Sequence, residues 1–182
     1  IPAKIEGKTV TGIRSLAFYD CKSLTKITIP DGVTSIELEA FRNCTSLTSI
    51  TIPDSVTSIG GFSFEQCTKL TSITIPDGVT SIGDYAFHRC ISLTNIKIPD
   101  SVTNIGVSAF AECTSLTTIE VGVENVSYAG VNGVLFNKEK TLLHTYPAGK
   151  AGANYVIPDS VTSIGNYAFA FCESLTSITI PD

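Results

Sequence analysis

The chain has 182 residues, with a hydrophobic fraction of 43%, a charged fraction of 16% and a formal net charge of −5. This composition is too apolar for a disordered segment, and the length allows one domain with a substantial core. The 12 basic residues are scattered and outnumbered by 17 acidic residues, so we expect no nucleic-acid surface. No apolar stretch approaches the roughly 20 residues of a transmembrane helix, so we also expect no membrane span.

The first residues depart from the pattern of the rest. Pro2 and Val10 are separated by 8 positions, whereas the equivalent Pro30 and Val33 are separated by 3. Because terminal repeats of a stack are atypical, we expect a small excursion here. The chain contains no Met and ends within a repeat, so we expect a segment of a longer protein, with any export signal or anchor outside it.

A period of 23 residues dominates the chain. The residues Ser58–Lys69 read SIGGFSFEQCTK, and one period later Ser81–Ser92 read SIGDYAFHRCIS. A strict period of this length predicts a solenoid rather than a single closed globule. The period is clearest in the cysteines, which fall at Cys21, Cys44, Cys67, Cys90 and Cys113.

Each repeat begins with a predicted half-buried strand of the form L-x-x-I-x-I. Within it, Ile alternates with Ser or Thr at period two, and a proline follows that ends the strand because it has no N–H to donate. Pro-Asp-Gly or Pro-Asp-Ser then makes a turn. The leucines that start these strands are Leu24, Leu47, Leu70, Leu93, Leu116 and Leu175.

A second apolar run completes the repeat. Val79 and Ile82 are followed by Ala86-Phe87, and the equivalent residues recur in the other repeats. We expect a short strand and then a single helical or 3₁₀ turn, after which the chain returns through Cys90. No repeat can bury these apolar side chains alone, so neighbours must stack at about the 5 Å spacing of strands.

The largest break in the period is internal. Pro99 and Pro158 are 59 residues apart, which is 36 more than one period. Residues Gly133–Phe136 and Thr141–Tyr146 predict a hairpin within this insert. We therefore divide a single solenoid domain, residues 1–182, into regular rungs at 1–121, an irregular insert at 122–155 and regular rungs at 156–182. The insert is either a binding loop on a rigid scaffold or a spacer that changes the curvature.

The consensus L-x-x-I-x-I-P-D-x-V-T-x-I-G-x-x-A-F-x-x-C resembles the BspA-type leucine-rich repeat. The resemblance covers almost the whole chain, and it implies a right-handed leucine-rich-repeat superhelix with a parallel sheet on the concave side and short strands and 3₁₀ turns on the convex side. It also implies a secreted or cell-surface protein that takes part in adhesion, with host extracellular-matrix proteins such as fibronectin or fibrinogen as partners.

The cysteines allow a disulfide, a metal site or free buried thiols. Side chains in register point the same way, which disfavours disulfides between stacked rungs, and no C-x-x-C spacing is present for a metal. Buried free thiols are therefore the favoured interpretation.

The aspartates after the prolines also form a column, which includes Asp54, Asp100 and Asp182. Each repeat supplies only one carboxylate, so we interpret them as turn caps rather than as a calcium site. His88 and His144 have no nucleophile beside them in sequence, and His88 lies in a variable column that we interpret as exposed. We expect no catalytic residue, no metal, no cofactor and no enzymatic activity.

We expect the binding residues where the sequence departs from the repeat consensus. Most outward positions of the strands are Ser or Thr, but the two strands before the insert carry charged and amide side chains, and the insert carries aromatic ones. The predicted binding residues are Asn95, Lys97, Thr118, Glu120, Tyr128, Phe136, Lys138 and Tyr146.

The resemblance to the BspA-type repeat therefore implies an extracellular or cell-surface scaffold for protein–protein recognition in adhesion. A structural stalk that binds nothing is the alternative, and the face of small Ser and Thr side chains, which lacks typical binding residues, favours it. Carbohydrate binding is a third and weaker option, because the regular strands offer no aromatic side chain to stack on a sugar. Uncapped solenoid ends expose apolar edges, which permits end-to-end self-association.

Overall fold

The structure, a computed structural model, describes residues 1–181 and is a β-solenoid of about seven turns with a spacing of about 23 residues. The fold class predicted from the sequence, a leucine-rich-repeat solenoid of parallel strands, is thereby confirmed. Within these residues, no helix is long and apolar enough to cross a membrane. The strands are β1 (Lys4–Ile5), β2 (Lys8–Thr9), β3 (Gly12–Ile13), β4 (Lys26–Thr28), β5 (Ser35–Ile36), β6 (Ser49–Thr51), β7 (Ser58–Ile59), β8 (Ser81–Ile82), β9 (Asn95–Ile98), β10 (Asn104–Ile105), β11 (Thr118–Val121), β12 (Tyr128–Val131), β13 (Val134–Asn137), β14 (Leu142–Thr145), β15 (Asn154–Val156), β16 (Ser163–Ile164) and β17 (Ser177–Thr179).

The rungs stack in two columns of parallel strands. We call the pairs β4–β6, β9–β11 and β15–β17 the front sheet; all of these strands except β15 come from the L-x-x-I-x-I segments. We call the five-stranded sheet β10-β8-β7-β5-β3 the back sheet. Each residue of these strands pairs with the residue one period away, as Ile36 does with Ile59, so equivalent positions of successive rungs lie above one another along the stack.

Turns join the two sheets on the far side of each rung. The Glu39 and Asn43 residues have φ angles of 56° and 61°, in the left-handed region, and the same two positions repeat in the other rungs. The N–H of Phe41 donates to the carbonyl of Ser63 in the next rung at 2.8 Å, whereas that of Ala40 donates within its own turn to Glu37 at 3.3 Å. Intra-rung and inter-rung hydrogen bonds therefore alternate here, and no 3₁₀ helix is assigned within residues 1–181.

A column of stacked phenylalanines runs through the core. The rings of neighbouring rungs are nearly parallel, and their centroids are 5.1 to 5.6 Å apart. Leucine, valine and isoleucine of each inner rung are also buried around these rings. Because each inner ring has one neighbour above and one below, no inner rung completes its core without the next. The stack contains Phe18, Phe41, Phe64, Phe87 and Phe110.

The cysteines are free thiols, and four of the six are fully buried. Each buried thiol donates to a phenylalanine carbonyl of the preceding rung, as Cys113 does to Phe87 at 3.0 Å. Burial raises the pKa of Cys44 to about 11 and that of Cys113 to about 12. The prediction of buried thiols is thus confirmed for the inner rungs, while Cys21 is exposed and Cys172 is half-buried at the ends of the column.

The insert contains the predicted hairpin and adds a second core. Strands β12, β13 and β14 are antiparallel in that order, and β14 then pairs in parallel with β16, so it takes the position of a back-sheet strand. Phe136, Leu143 and Tyr146 are buried together in this second core. The front-sheet strand β15 begins at Asn154, one residue before the predicted end of the insert; the division at 122–155 stays a prediction.

We expect Phe64→Ala to lower the free energy of unfolding by about 3–5 kcal/mol, because it empties the middle of the aromatic stack. The matched control is Phe171→Ala, since Phe171 is 51% exposed and its loss should cost less than about 1 kcal/mol. Urea denaturation of both variants measures the difference. Equal losses would contradict the stacked core.

We also expect the buried thiols to make the fold sensitive to alkali. A cysteine has an ordinary pKa of 9.0, and burial raises that of Cys113 to about 12, so the thiol loses its proton in the unfolded chain first. Stability from this group is complete below pH 9 and is lost as the pH rises towards 12, by up to about 1.4 kcal/mol per pH unit. Denaturation curves at a series of alkaline pH values should therefore fall less steeply for Cys113→Ala than for the parent. Cys21→Ala, at an exposed position, should leave the slope unchanged, and a slope equal for all three proteins would refute the assignment.

Candidate functional site

Four of the predicted binding residues lie side by side on the front sheet. In the register of β9 and β11, Asn95 is opposite Thr118 and Lys97 is opposite Glu120. The side chains of Asn95, Lys97 and Glu120 are exposed, and Thr118 is partly so. No ion pair joins Lys97 to Glu120 in the part of the chain that the structure describes. Both charges are therefore available to a partner. We call these four residues the front patch.

Two depressions border the front patch and the insert. One, of about 250 Å³, lies beside Asn95 and Lys97 and reaches back to Asp77 on the preceding rung. The other, of about 360 Å³, lies between the end of β11 and the hairpin, where Lys138 and Tyr128 form part of its wall. Their position means that the outward side chains of the rungs and of the hairpin can contact one partner surface.

The four insert residues predicted to bind have different environments. Lys138 is exposed, and its Nζ donates to the carbonyl of Asn125. Tyr128 is half-buried and turns towards the back sheet. Phe136 and Tyr146 are almost fully buried in the second core, so the prediction that they contact a partner is corrected: they support the hairpin from within. Their apolar neighbours in the hairpin sequence are consistent with that role, and the aromatic character alone misled the sequence argument.

Asn125 fixes the start of the insert, and the sequence argument did not identify it. This side chain is fully buried. Its Nδ2 donates to the carbonyls of Pro99 at 2.8 Å and Val102 at 2.9 Å in the preceding rung. Its Oδ1 accepts from the N–H groups of Ser127 at 2.9 Å and Tyr128 at 2.7 Å. An asparagine among turn residues is the only signal in the sequence, and it does not reveal contacts 23 to 26 positions away.

Tyr128 continues this anchoring towards the back sheet. Its hydroxyl accepts a hydrogen bond, at 2.7 Å, from the backbone N–H of Ile105. Ile105 belongs to β10, the edge strand of the five-stranded back sheet. Burial raises the pKa of the phenol, although the hydrogen bond from Ile105 partly opposes this. The ring also meets His144 edge-on, with centroids 6.0 Å apart. Burial lowers the pKa of His144, so its imidazole is neutral at pH 7.

A ladder of acidic, guanidinium and imidazole side chains connects four rungs on the turn side. Glu65, which is 5% exposed, contacts Arg42 Nε at 2.6 Å and His88 Nδ1 at 3.0 Å. His88 Nε2 lies 3.2 Å from Glu112 in the following rung. The interpretation of His88 as an exposed, variable residue is therefore wrong, because it lies between two carboxylates that stacking places one rung above and one rung below.

The ends of this ladder are also paired. Glu39 accepts a hydrogen bond from Arg42 at 3.1 Å, and Arg89 lies 3.1 Å from Glu112. Burial by itself lowers the pKa of Arg42, but the Glu39 hydrogen bond and the charge of Glu65 raise it on balance. Charges satisfied in this way hold neighbouring rungs in register and leave little for a ligand.

One member of the aspartate column, Asp100, accepts a hydrogen bond from the backbone of the following rung. The Oδ1 atom of Asp100 accepts from the N–H of Glu124 at 3.0 Å, 24 residues further on, instead of capping its own turn. Among residues 1–181, no three His, Cys, Asp or Glu side chains lie together as a metal-binding group. Asp182, the last member of the predicted column, lies outside the described residues.

Comparison with known proteins identifies the repeat. A family profile described as the BspA type leucine rich repeat region matches residues 11–140 and 150–182 in six copies. No curated protein matches the chain in sequence.

Solved structures of bacterial proteins share the fold over nearly the whole chain. A leucine rich cell surface protein from Faecalibacterium prausnitzii is 37% identical, with a TM-score of 0.83, over 96% of this chain and 49% of that one. A leucine-rich repeat protein from Eubacterium ventriosum is 31% identical, with a TM-score of 0.78, over 95% of this chain and 54% of the other. The pneumococcal vaccine antigen PcpA is 28% identical, with a TM-score of 0.86, over 100% of this chain and 54% of the antigen. The chain thus spans about half the length of these structures.

The position of Tyr128 leads to a prediction about stability. Tyr128→Phe removes the acceptor of the buried Ile105 N–H, so we expect the free energy of unfolding to fall by about 1–3 kcal/mol. Tyr167→Phe is the matched control, because Tyr167 is 61% exposed and its change should cost less than about 0.5 kcal/mol. Thermal or urea unfolding measures both. If Tyr128→Phe were as stable as the parent, the hydroxyl would not be the link between insert and back sheet.

Proposed function

Because the chain belongs to the BspA-type leucine-rich repeat family, we propose that it is part of an extracellular or cell-surface scaffold that recognises another protein. Leucine-rich repeats of this kind are scaffolds for protein interaction, and the family match supports that coarse assignment. Adhesion to host extracellular-matrix proteins, with fibronectin or fibrinogen as the partner, is the finer proposal. A cell surface protein and a vaccine antigen among the similar structures support the surface location.

The observation that carries this proposal is the exposed front patch beside the insert. Elsewhere on the front sheet the outward residues are mostly small hydroxyls, such as Ser49 and Thr51 on β6. At β9 and β11 they change to Asn95, Lys97 and Glu120, next to two depressions. A surface with unpaired charges of both signs favours a polar protein surface as the partner, since complementary charges give specificity and faster association.

The insert contributes to the same surface through Lys138. Its ammonium group contacts the Asn125 carbonyl, and Asn125 is itself locked to the preceding rung, so the cation is held at a fixed position relative to the patch. A positioned side chain loses less conformational entropy on binding than a free one. This supports the insert as a binding element rather than as a spacer alone.

A structural stalk remains a second candidate, and one observation favours it. Exposed threonines just before the front-sheet strands hydrogen-bond to the chain itself: Thr48 donates to the Thr25 carbonyl at 3.2 Å, and Thr117 donates to that of Thr94 at 3.1 Å. Hydroxyls that bond to neighbouring rungs in this way stiffen the rod and are not available to a ligand. In both proposals the protein is a non-enzymatic scaffold.

Self-association through the ends of the stack is a further part of the proposal. Around the last described rung, apolar positions that are buried in the inner rungs are open, with Ile164 44% and Ile178 40% exposed. Another copy that stacked there would cover them. Sedimentation at several concentrations therefore accompanies any binding assay, so that avidity is not mistaken for affinity.

The binding prediction uses immobilised fibronectin and fibrinogen. We expect saturable binding by the parent protein, and binding weakened at least about tenfold in the variant Lys97→Ala/Glu120→Ala/Lys138→Ala. The matched control is Lys4→Ala/Glu6→Ala/Lys8→Ala, which removes the same charges from exposed positions near the first strands. Measurement across salt concentrations reports the electrostatic share.

Two outcomes would contradict the proposal. Equal binding by both triple variants would remove the front patch from the site, while leaving adhesion itself intact. No binding by the parent to either matrix protein would contradict matrix adhesion and favour the stalk.

A further inference from the structure

The back sheet is interrupted after β10. In the rungs before this point, two carbonyls of each rung accept hydrogen bonds from the next rung. The carbonyl of Thr80 accepts from the N–H of Thr103 at 2.9 Å, and that of Ile82 accepts from the N–H of Gly106 at 2.8 Å. The equivalent acceptors on β10 are the carbonyls of Thr103 and Ile105. No backbone N–H in residues 1–181 donates to either, because the chain leaves the stack here and β14 pairs with β13 and β16 instead.

Side chains satisfy only part of this open edge. The Tyr128 hydroxyl accepts from the N–H of Ile105, and His144 Nε2 approaches the Ile105 carbonyl at 3.5 Å, which is long for a hydrogen bond. The Thr103 carbonyl has no donor among the described residues. The edge of β10 thus has one carbonyl without a donor, that of Thr103, and one with only a long contact, that of Ile105. The two carbonyls have the spacing of the acceptors to which a neighbouring parallel strand donates.

A cleft of about 460 Å³ lies along this edge. Its walls come from β10 and the following turn, from the hairpin and from β16, and none of the residues that line it carries a carboxylate, a guanidinium or an ammonium group. Burial keeps His144 neutral by lowering its pKa. The lining therefore suits an uncharged ligand with both polar and apolar groups. Its apolar members are Ile105, Val107, Leu142 and Ile164.

Ser108 is a second feature of this cleft that points to a ligand. It lines the cleft, it is 5% exposed, and its Oγ is buried without a hydrogen-bond partner. Its position in the rung is the one that holds Phe62 and Tyr85 in the preceding two rungs, where the two rings stack at 4.9 Å. Serine replaces a ring at the point where the column stops, which both opens the space and leaves a hydroxyl in it.

We propose that this cleft binds an extended, uncharged segment of a partner protein as an added strand, parallel to β10. The segment donates two backbone N–H groups, three residues apart, to the carbonyls of Thr103 and Ile105, as Thr103 and Gly106 do to the rung before them. A carbonyl of the segment between these two donors takes the place of the Tyr128 hydroxyl as the acceptor of the Ile105 N–H. A polar group of the segment reaches Ser108 Oγ. Strand addition of this type takes its affinity from main-chain hydrogen bonds. The site lies on the back sheet, and it does not depend on the front patch.

A peptide is favoured over a saccharide because the free acceptors are backbone carbonyls at strand spacing. A saccharide shares the hydroxyl chemistry but not that spacing, and no aromatic face other than those of Tyr128 and His144 lies in the cleft. The experiment therefore includes a saccharide arm.

The probe is the blocked peptide SVTSIG, which is the sequence of Ser55–Gly60, carries no charge and has the register of a back-sheet strand. The control peptide carries N-methyl groups at its Thr and its Gly, which removes both donors and keeps the side chains. Two-dimensional NMR of the labelled protein follows the backbone amides, and N-acetylglucosamine is titrated in parallel. We expect saturating shifts at residues 103–108, 128 and 144 with the parent peptide, and binding weakened at least about tenfold by the N-methyl groups.

The variant Val107→Arg tests the location. Val107 is 44% exposed at the cleft, so arginine should fill it without unfolding the protein, and binding should weaken at least about tenfold. Leu38→Arg, at the same position of an earlier rung and 48% exposed, should bind as the parent does. Shifts confined to β16 at the open end of the stack, equal binding of both peptides, binding of the saccharide alone, or no binding would each overturn the proposal.

Discussion

Hydrogen bonds between residues 23 positions apart hold this molecule together. The N–H groups of Thr57, Thr80 and Thr103 each donate to the carbonyl of the same residue type one rung earlier, at 2.9 Å. The stacked phenylalanines and the contact between Glu65 and His88 follow the same spacing, and the thiol-to-carbonyl bonds also join neighbouring rungs, over 26 positions. A rung therefore has few stabilising contacts of its own and depends on both neighbours, which is the physical reason why one sequence motif must recur so closely.

Function follows from where this rule is broken. In the regular rungs many polar groups have partners within the protein, since threonine hydroxyls hydrogen-bond to carbonyls of the neighbouring rung and buried charges pair across rungs. The insert interrupts the repetition on both sheets at once. On the front sheet it lies beside the unpaired charges of Lys97 and Glu120, and on the back sheet it leaves the edge of β10 partly unserved. Both proposed sites are consequences of the same 36 additional residues.

The sequence alone predicted the repeat, the inward columns, the free thiols and the hairpin, because each depends on a local pattern that recurs. It could not predict contacts that depend on stacking register between unlike residues. His88 appeared variable, yet it lies between Glu65 and Glu112. Phe136 and Tyr146 were expected to face a partner, yet the second core buries them. The anchoring by Asn125 and the open edge beside Ser108 likewise arise where the chain leaves its period, and no periodic argument applies there.

Amide hydrogen exchange of the native protein tests the dependence of each rung on its neighbours most directly. The amides of Thr57, Thr80 and Thr103 donate only across rungs, so they should exchange slowly and through openings that involve several rungs together. The free energies of exchange should then rise from the ends of the stack towards Thr80. Fast exchange at these three amides, with protection limited to hydrogen bonds inside single turns, would contradict the account.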